Sequence, residues 1–154
     1  MPRITSFMIL SVPEQPLLRI RKTVAVNRLP AFIGESFGVL GERLNALGGT
    51  LADIPFVSFE EGEPDSLLVG VCFPLPAPLP GGDGAEAGIL PAETVACCMY
   101  LGPYEGTMAV QEEMHIWIAQ HGYAKPTVSY ETYYNGQEFP EEQFLTKIAM
   151  PLRK

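Results

Sequence analysis

Apolar and polar positions alternate along the first part of the chain, and then the period changes. Leu18, Ile20, Val24 and Val26 alternate with Arg19, Arg21 and Thr23, the two-residue period of a strand with one buried face. After Pro30, the residues Ile33, Phe37, Leu40, Leu44 and Leu47 recur at intervals of four, three, four and three. That spacing draws one apolar stripe along a helix, ended by Gly48-Gly49. Gly34, Gly38 and Gly41 lie inside it and each weakens a helix by about 1 kcal/mol relative to alanine; a close neighbour on that side would account for them. Phe56 to Glu60 and Leu67 to Leu75 read as two strands separated by a Gly/Pro/Asp turn. The acidic run Glu60, Glu61, Glu63 and Asp65 is then a solvated hairpin end.

The second half repeats this order. Thr94 to Leu101 reads as a strand broken by Gly102-Pro103. A helix is predicted from about Tyr104 to His121, with Val110, Met114, Trp117 and Ile118 inward, ended by Gly122. Pro126 to Asn135 and Gln143 to Met150 are the closing strands. Short matches support a duplication: Thr23-Val24-Ala25 recurs as Thr94-Val95-Ala96, an offset of 94 − 23 = 71. Val57-Ser58-Phe59-Glu60 recurs as Val128-Ser129-Tyr130-Glu131 at the same offset, 128 − 57 = 71. Phe73-Pro74-Leu75 answers Met150-Pro151-Leu152.

The prediction is therefore one domain over residues 1–154, built from repeat units 17–75 and 89–152 joined by a loop over 76–88. Its fold class is α+β, with mostly antiparallel strands in two strand–helix–strand–strand modules. A pseudo-two-fold axis relates the modules, Thr23 is expected on Thr94 and Glu60 on Glu131, and a ligand cleft is expected between the halves. Residues 1–15 fall outside the repeat.

Composition narrows the function. A hydrophobic fraction of 47% in 154 residues rules out disorder as the main state. Ten basic residues against eighteen acidic ones give a net charge of −8, a surface that repels phosphate backbones and favours cationic guests. Direct nucleic-acid binding is not expected. Cys72, Cys97 and Cys98 form no C-x-x-C pair, and His115 and His121 bring no ligand cluster, so neither a metal nor a cofactor is expected. Buried reduced thiols in a cytoplasmic protein are the simpler reading. The apolar run Phe7 to Leu10 is too short for a signal segment or a membrane span. The Gly-rich joint has no lysine and no following helix, which argues against a phosphate cradle. No spacing of serines and histidines suggests a catalytic triad.

The candidate chemistry concentrates in Tyr130-Glu131-Thr132-Tyr133-Tyr134. On a strand, Glu131 projects from the same face as Ser129 and Tyr133. A carboxylate among phenols is either on a solvated sheet face or in a cleft, where it would offer a negative point among aromatic rings to a lipophilic cation. Tyr104, Trp117, Met114 and Phe37 are the side chains expected to complete such a site. For Trp117 a place in the core is the competing reading, and Tyr104 and Phe37 can equally face core or cleft.

The stretch Gly102-Pro103-Tyr104-Glu105-Gly106, the helix bearing Trp117-Ile118 and ending His121-Gly122-Tyr123, then Glu131-Thr132-Tyr133 and Met150-Pro151-Leu152 resemble, in that order, the GyrI-like family. The resemblance spans Leu17 to Leu152. It implies duplicated modules around a ligand cleft, of the kind fused to AraC-type and MerR-type multidrug regulators as their effector-binding part. In those regulators a buried glutamate recognises cationic aromatic drugs, and Glu131 is the matching position. Two positions depart from the family pattern: Lys147 stands where an acidic residue is common, and Gly70 stands near the matching place of the first unit. With the domain taking up the whole sequence, a stand-alone binding protein without a helix-turn-helix is expected, whose partner is a hydrophobic, cationic small molecule. The resemblance also implies two alternatives. One is a hydrolase that opens strained cyclopropane rings of DNA-alkylating natural products, with Glu131 and Tyr133 as catalytic base and acid. The other is a gyrase-directed interaction protein.

Overall fold

A computed structural model of the chain describes residues 4–154. In chain order the elements are β1 (Met8–Val12), β2 (Gln15–Ala25), α1 (Leu29–Ala46), β3 (Phe56–Glu61), β4 (Ser66–Pro74), β5 (Glu86–Leu90), β6 (Glu93–Leu101), α2 (Thr107–Gln120), β7 (Val128–Tyr133) and β8 (Leu145–Pro151). The order strand–helix–strand–strand occurs twice, and the ladders within each unit are antiparallel. The fold is α+β. Among the described residues, no helix is long and apolar enough to cross a membrane.

The chain divides into two compact units. Pro13–Ala92 is one; the chain up to Val12 together with Glu93–Lys154 is the other. In the first, β4 pairs with β3 on one side and β2 on the other, and β2 also pairs with β5. Leu18, Val57, Val69, Val71 and Phe73 are buried there together with Leu40 and Leu44 of α1, and Phe37 of α1 lies against Phe73 with ring centroids 5.7 Å apart. In the second unit, β6 pairs with β1 and β8, and β8 with β7. Ala96, Cys98 and Tyr100 of β6, Ile148 and Met150 of β8, and Val110, Met114 and Ile118 of α2 form its core. The 3.6-residue periodicity of α2 puts those three side chains in one stripe, which is why the helix docks on that face.

Three sequence expectations need correction. Residues 76–88 are not wholly a loop, because the strand β5 begins at Glu86. The strand is hard to see in the sequence because Gly88 interrupts it. Gly88 lies opposite Leu17, where an added Cβ would stand 3.3 Å from Leu17 Cδ1, so the glycine admits a close strand approach. The residues before the repeat also have a defined place: β1 is an outer strand alongside β6.

The second correction concerns register. The Leu75 N–H donates to the Pro16 carbonyl, and the Leu152 N–H donates to the Thr94 carbonyl. Pro16, not Thr23, is thus the counterpart of Thr94. Leu75 and Leu152 are equivalent, an offset of 152 − 75 = 77, and Val71 then answers Ile148. Val57 lies opposite Val71 and Glu131 opposite Ile148. Glu131 is therefore the counterpart of Val57, while Glu60 answers Tyr134. The two Val-Ser-aromatic-Glu segments do occupy corresponding strands, but three positions out of step, and an odd shift moves each side chain to the other face.

The third correction is to the helix glycines. A Cβ built at Gly34, Gly38 or Gly41 meets nothing within 4 Å, so no close neighbour explains them. The three cysteines are buried and form no disulfide, and burial pushes the Cys72 thiol up to about 12, against the opposing pull of Arg19, Ser58 and Arg21.

Because the space beside Gly34 and Gly38 is open and their backbone is helical, Gly34→Ala and Gly38→Ala should each stabilise the fold by about 0.5–1 kcal/mol. Urea denaturation of the single and double variants checks this, and the double variant should show nearly the sum.

Candidate functional site

Glu131 is the third-last residue of β7, and the two-residue period of the strand turns it toward the helix-bearing face of its unit, opposite Ile148. It is 6% exposed. A carboxylate so placed needs hydrogen bonds, and it receives two. The Tyr133 hydroxyl donates to Oε1 at 2.8 Å, and the Gln111 amide of α2 donates to Oε2 at 2.8 Å. Both donors are neutral. Burial raises the Glu131 pKa above the ordinary carboxylate value, and the bonds from Tyr133 and Gln111 oppose that rise. The same pairing acts on Tyr133 in the other direction: burial first, then the adjacent carboxylate, push its phenol well above the usual range.

Tyr104 completes an aromatic wall. Its ring meets Tyr133 edge-on, with centroids 5.2 Å apart, and stacks on Phe144 at 4.8 Å. Tyr104 lies in a single 3-10 turn, Tyr104–Gly106, just before α2. The turn is held from below, where the buried Tyr100 hydroxyl donates to the Pro103 carbonyl. Room for that hydroxyl exists because residues 102 and 106 are glycines: a Cβ at Gly102 would lie 2.9 Å from the Tyr100 oxygen, and one at Gly106 would overlap it. Phe144 is fixed by its neighbours, since Asn135 accepts the Leu145 N–H at 2.8 Å and donates to the Gln143 carbonyl at 2.7 Å. Tyr104 remains substantially exposed, and its phenol is raised by burial and by the charges of Glu131 and Glu138.

Three of the six residues expected from sequence thus meet: Glu131, Tyr133 and Tyr104. Met114 belongs to the core beneath α2, with its sulfur 4.0 Å from that of Cys98. Trp117 stacks on His121 at 3.9 Å and meets Phe7 edge-on at 5.8 Å. With Phe7, Ser6, Glu113, Ile116 and Gln120 it lines a separate groove of about 520 Å3. Phe37 packs on Phe73 in the Pro13–Ala92 unit. Gln111 and Phe144 are the residues the sequence reading missed. Gln111 adjoins Val110 and precedes Met114 by one turn, so a polar side chain bordering the buried stripe was the available signal.

The chain has close structural likenesses. The sequence profile of the GyrI-like small molecule binding domain matches residues 5–153. No curated protein matches the chain. The crystal structure of the EcmrR C-terminal domain superposes with a TM-score of 0.83 at 19% identity, over 97% of this chain and 98% of that one. EcmrR in its DNA complex superposes equally well, and there the chain spans 57% of the other's length. SAV2435 bound to tetraphenylphosphonium gives a TM-score of 0.69 at 14% identity, covering 97% of this chain and 94% of that one. A hydrolase from Listeria innocua gives 0.67 at 13% identity, covering 95% and 91%.

Two outcomes follow from the geometry. Gly106→Ala forces the buried Tyr100 ring out of place and should cost about 1–3 kcal/mol, readable as a lower urea midpoint. For Glu131, a raised folded-state pKa means the native state holds the proton more tightly than the unfolded chain. Its contribution to stability is then largest at low pH and falls as pH rises from the ordinary glutamate range through the folded value. Subtracting the pH–stability profile of Glu131→Gln from that of the wild type should leave a curve with this sign.

Proposed function

The chain belongs to the GyrI-like family of small-molecule-binding domains, and from that premise we propose that it binds hydrophobic organic cations at Glu131. The single observation that carries this reading is a buried carboxylate whose two partners, Tyr133 and Gln111, are both neutral. A carboxylate that is desolvated and held only by neutral dipoles gains more from an incoming cation than an exposed one does. Tyr104 and Tyr133 offer ring edges and faces at the same place, which suits a cation carrying aromatic groups. The bound tetraphenylphosphonium of SAV2435 is a ligand of that chemistry. The net charge of −8 favours the approach of a cation over that of a phosphate backbone.

A second reading, hydrolysis, has one observation in its favour besides the hydrolase among the similar structures. A phenol and a carboxyl group share a hydrogen bond of 2.8 Å at the site, and such a pair can serve as acid and base on a strained ring. The phenol argues for the lower rank of this reading. Tyr133 already gives its proton to the Glu131 hydrogen bond, and its raised pKa makes it a weak donor to a leaving group.

Tetraphenylphosphonium is a suitable probe, with a neutral tetraaryl analogue of the same shape as control. Isothermal titration should show the cation bound by the wild type and weakened in Glu131→Gln by about 2–5 kcal/mol, the usual loss of a buried charge partner. The neutral analogue should change little. Equal affinity of both proteins for the cation would remove Glu131 from the binding role. Incubation with a cyclopropane-bearing alkylating agent, followed by product analysis, decides the second reading: turnover abolished in Glu131→Gln would establish it.

A further inference from the structure

The outer strand of the second unit has an unusual composition for its position. From Ile4 to Pro13 there is no charged residue, and β1 within that run reads Met-Ile-Leu-Ser-Val. Proteins ordinarily guard an exposed strand edge with charge, proline or a bulge, because its unpaired amides and carbonyls invite another strand. The corresponding outer strand of the other unit is guarded: β5 opens with a charged residue, Glu86, which is held at 2.9 Å by Arg19, and it contains Gly88. In β1 the residues Met8, Ile9 and Leu10 are 41%, 44% and 39% exposed, and among the described residues the strand pairs only with β6.

The ladders show which backbone groups are free. On β6, Thr94 accepts from Leu152 and Gly102 donates to Phe144, so the even-numbered residues from 94 to 102 hydrogen-bond toward β8. The odd-numbered ones therefore face β1, as the bond from the Ile4 N–H to the Met99 carbonyl also requires. Leu10 lies opposite Val95 and Met8 opposite Cys97, so Met8, Leu10 and Val12 spend their backbone groups on β6. Alternation leaves the N–H and C=O of Ile9 and Ser11 pointing outward.

We propose that this edge associates with a second copy of the chain, the two β1 strands pairing antiparallel about a two-fold axis through Leu10. Ile9 of each copy then lies opposite Ser11 of the other, and all four outward groups of each strand are paired. The strand is its own complement in this arrangement: Met8 meets Val12, Leu10 meets its own copy, Ile9 meets the small Ser11 side chain, and no charge opposes its like. That matters on a chain of net charge −8, because the run Ile4 to Pro13 is a stretch where two acidic surfaces can meet without direct repulsion. The groove beside the edge fits the same occupant. Phe7, Ile116 and Trp117 line it, and Ile116 is exposed, so a strand added to β1 brings its own apolar side chains alongside them. The contact is short, and residual repulsion between the two copies opposes it. Association is therefore concentration-dependent and strengthens as salt screens the net charge.

The test is sedimentation velocity of the full chain from 5 to 500 µM, at low and high salt, with amide hydrogen exchange on the same samples. The expected result is a monomer–dimer equilibrium favoured by salt. With rising concentration the amides of Ile9 and Ser11 should gain protection, while that of Leu10, already bonded to β6, should not. Ser11→Pro removes one outward N–H without touching the β6 ladder, and Ile9→Lys places a charge on the edge. Each should weaken association at least tenfold with an unchanged circular dichroism spectrum. A chain that stays monomeric at 500 µM, a dimer that leaves the Ile9 and Ser11 amides unprotected, or folded variants that dimerise as well as the wild type would overturn the proposal. The exchange measurement uses the unaltered chain, so it decides the matter even if a variant fails to fold.

Discussion

The site is organised around an uncompensated carboxylate. Taking Glu131 out of water is costly, and the surrounding structure is arranged to make that tolerable without a counter-ion. β7 fixes the face, Tyr133 follows two residues later on the same side, and α2 brings Gln111 to the second oxygen. Each of these depends on something further away. Gln111 is aimed by the docking of Val110, Met114 and Ile118 on the sheet. The start of α2 is in turn set by the turn above Tyr100. Two neutral hydrogen bonds hold the carboxylate in place and leave its charge without a counter-charge.

Much of the fold was readable because periodicity survives without knowledge of the partner strand. Both helices, and six of the eight strands among the described residues, come from alternation, from runs bounded by turn residues or from a 3.6-residue stripe. Register is a different kind of information. Val57-Ser58-Phe59-Glu60 and Val128-Ser129-Tyr130-Glu131 look equivalent as strings, yet hydrogen bonding places Glu131 against Val57. The string match is blind to which residue faces which neighbour, and a shift of three reverses the faces. The same limit hid β5, where a glycine that serves packing reads as a loop residue.

The candidate site was legible where chemistry is local and illegible where it is assembled. Glu131 and Tyr133 share a strand face, so their proximity follows from spacing alone. Tyr104 was a candidate because it follows a breaker pair, though only the geometry shows it stacked on Phe144. Gln111 comes from another element, and nothing in its own neighbourhood in the sequence points to a carboxylate. Trp117, expected at the site as an aromatic ring, sits with Phe7 and His121 instead. Aromatic residues on a helix announce burial more than they announce which cavity they border.

The interleaving of the units along the chain has a consequence for synthesis. Every strand of the unit Pro13–Ala92 is synthesised before the first residue of β6, so the ladders of that unit can form without it. β1 cannot: its only partner among the described residues begins at Glu93. At roughly 5–20 residues per second, an uncharged, apolar strand waits several seconds in a crowded cell before its ladder can form. During that interval only water can satisfy the backbone groups that it later gives to β6.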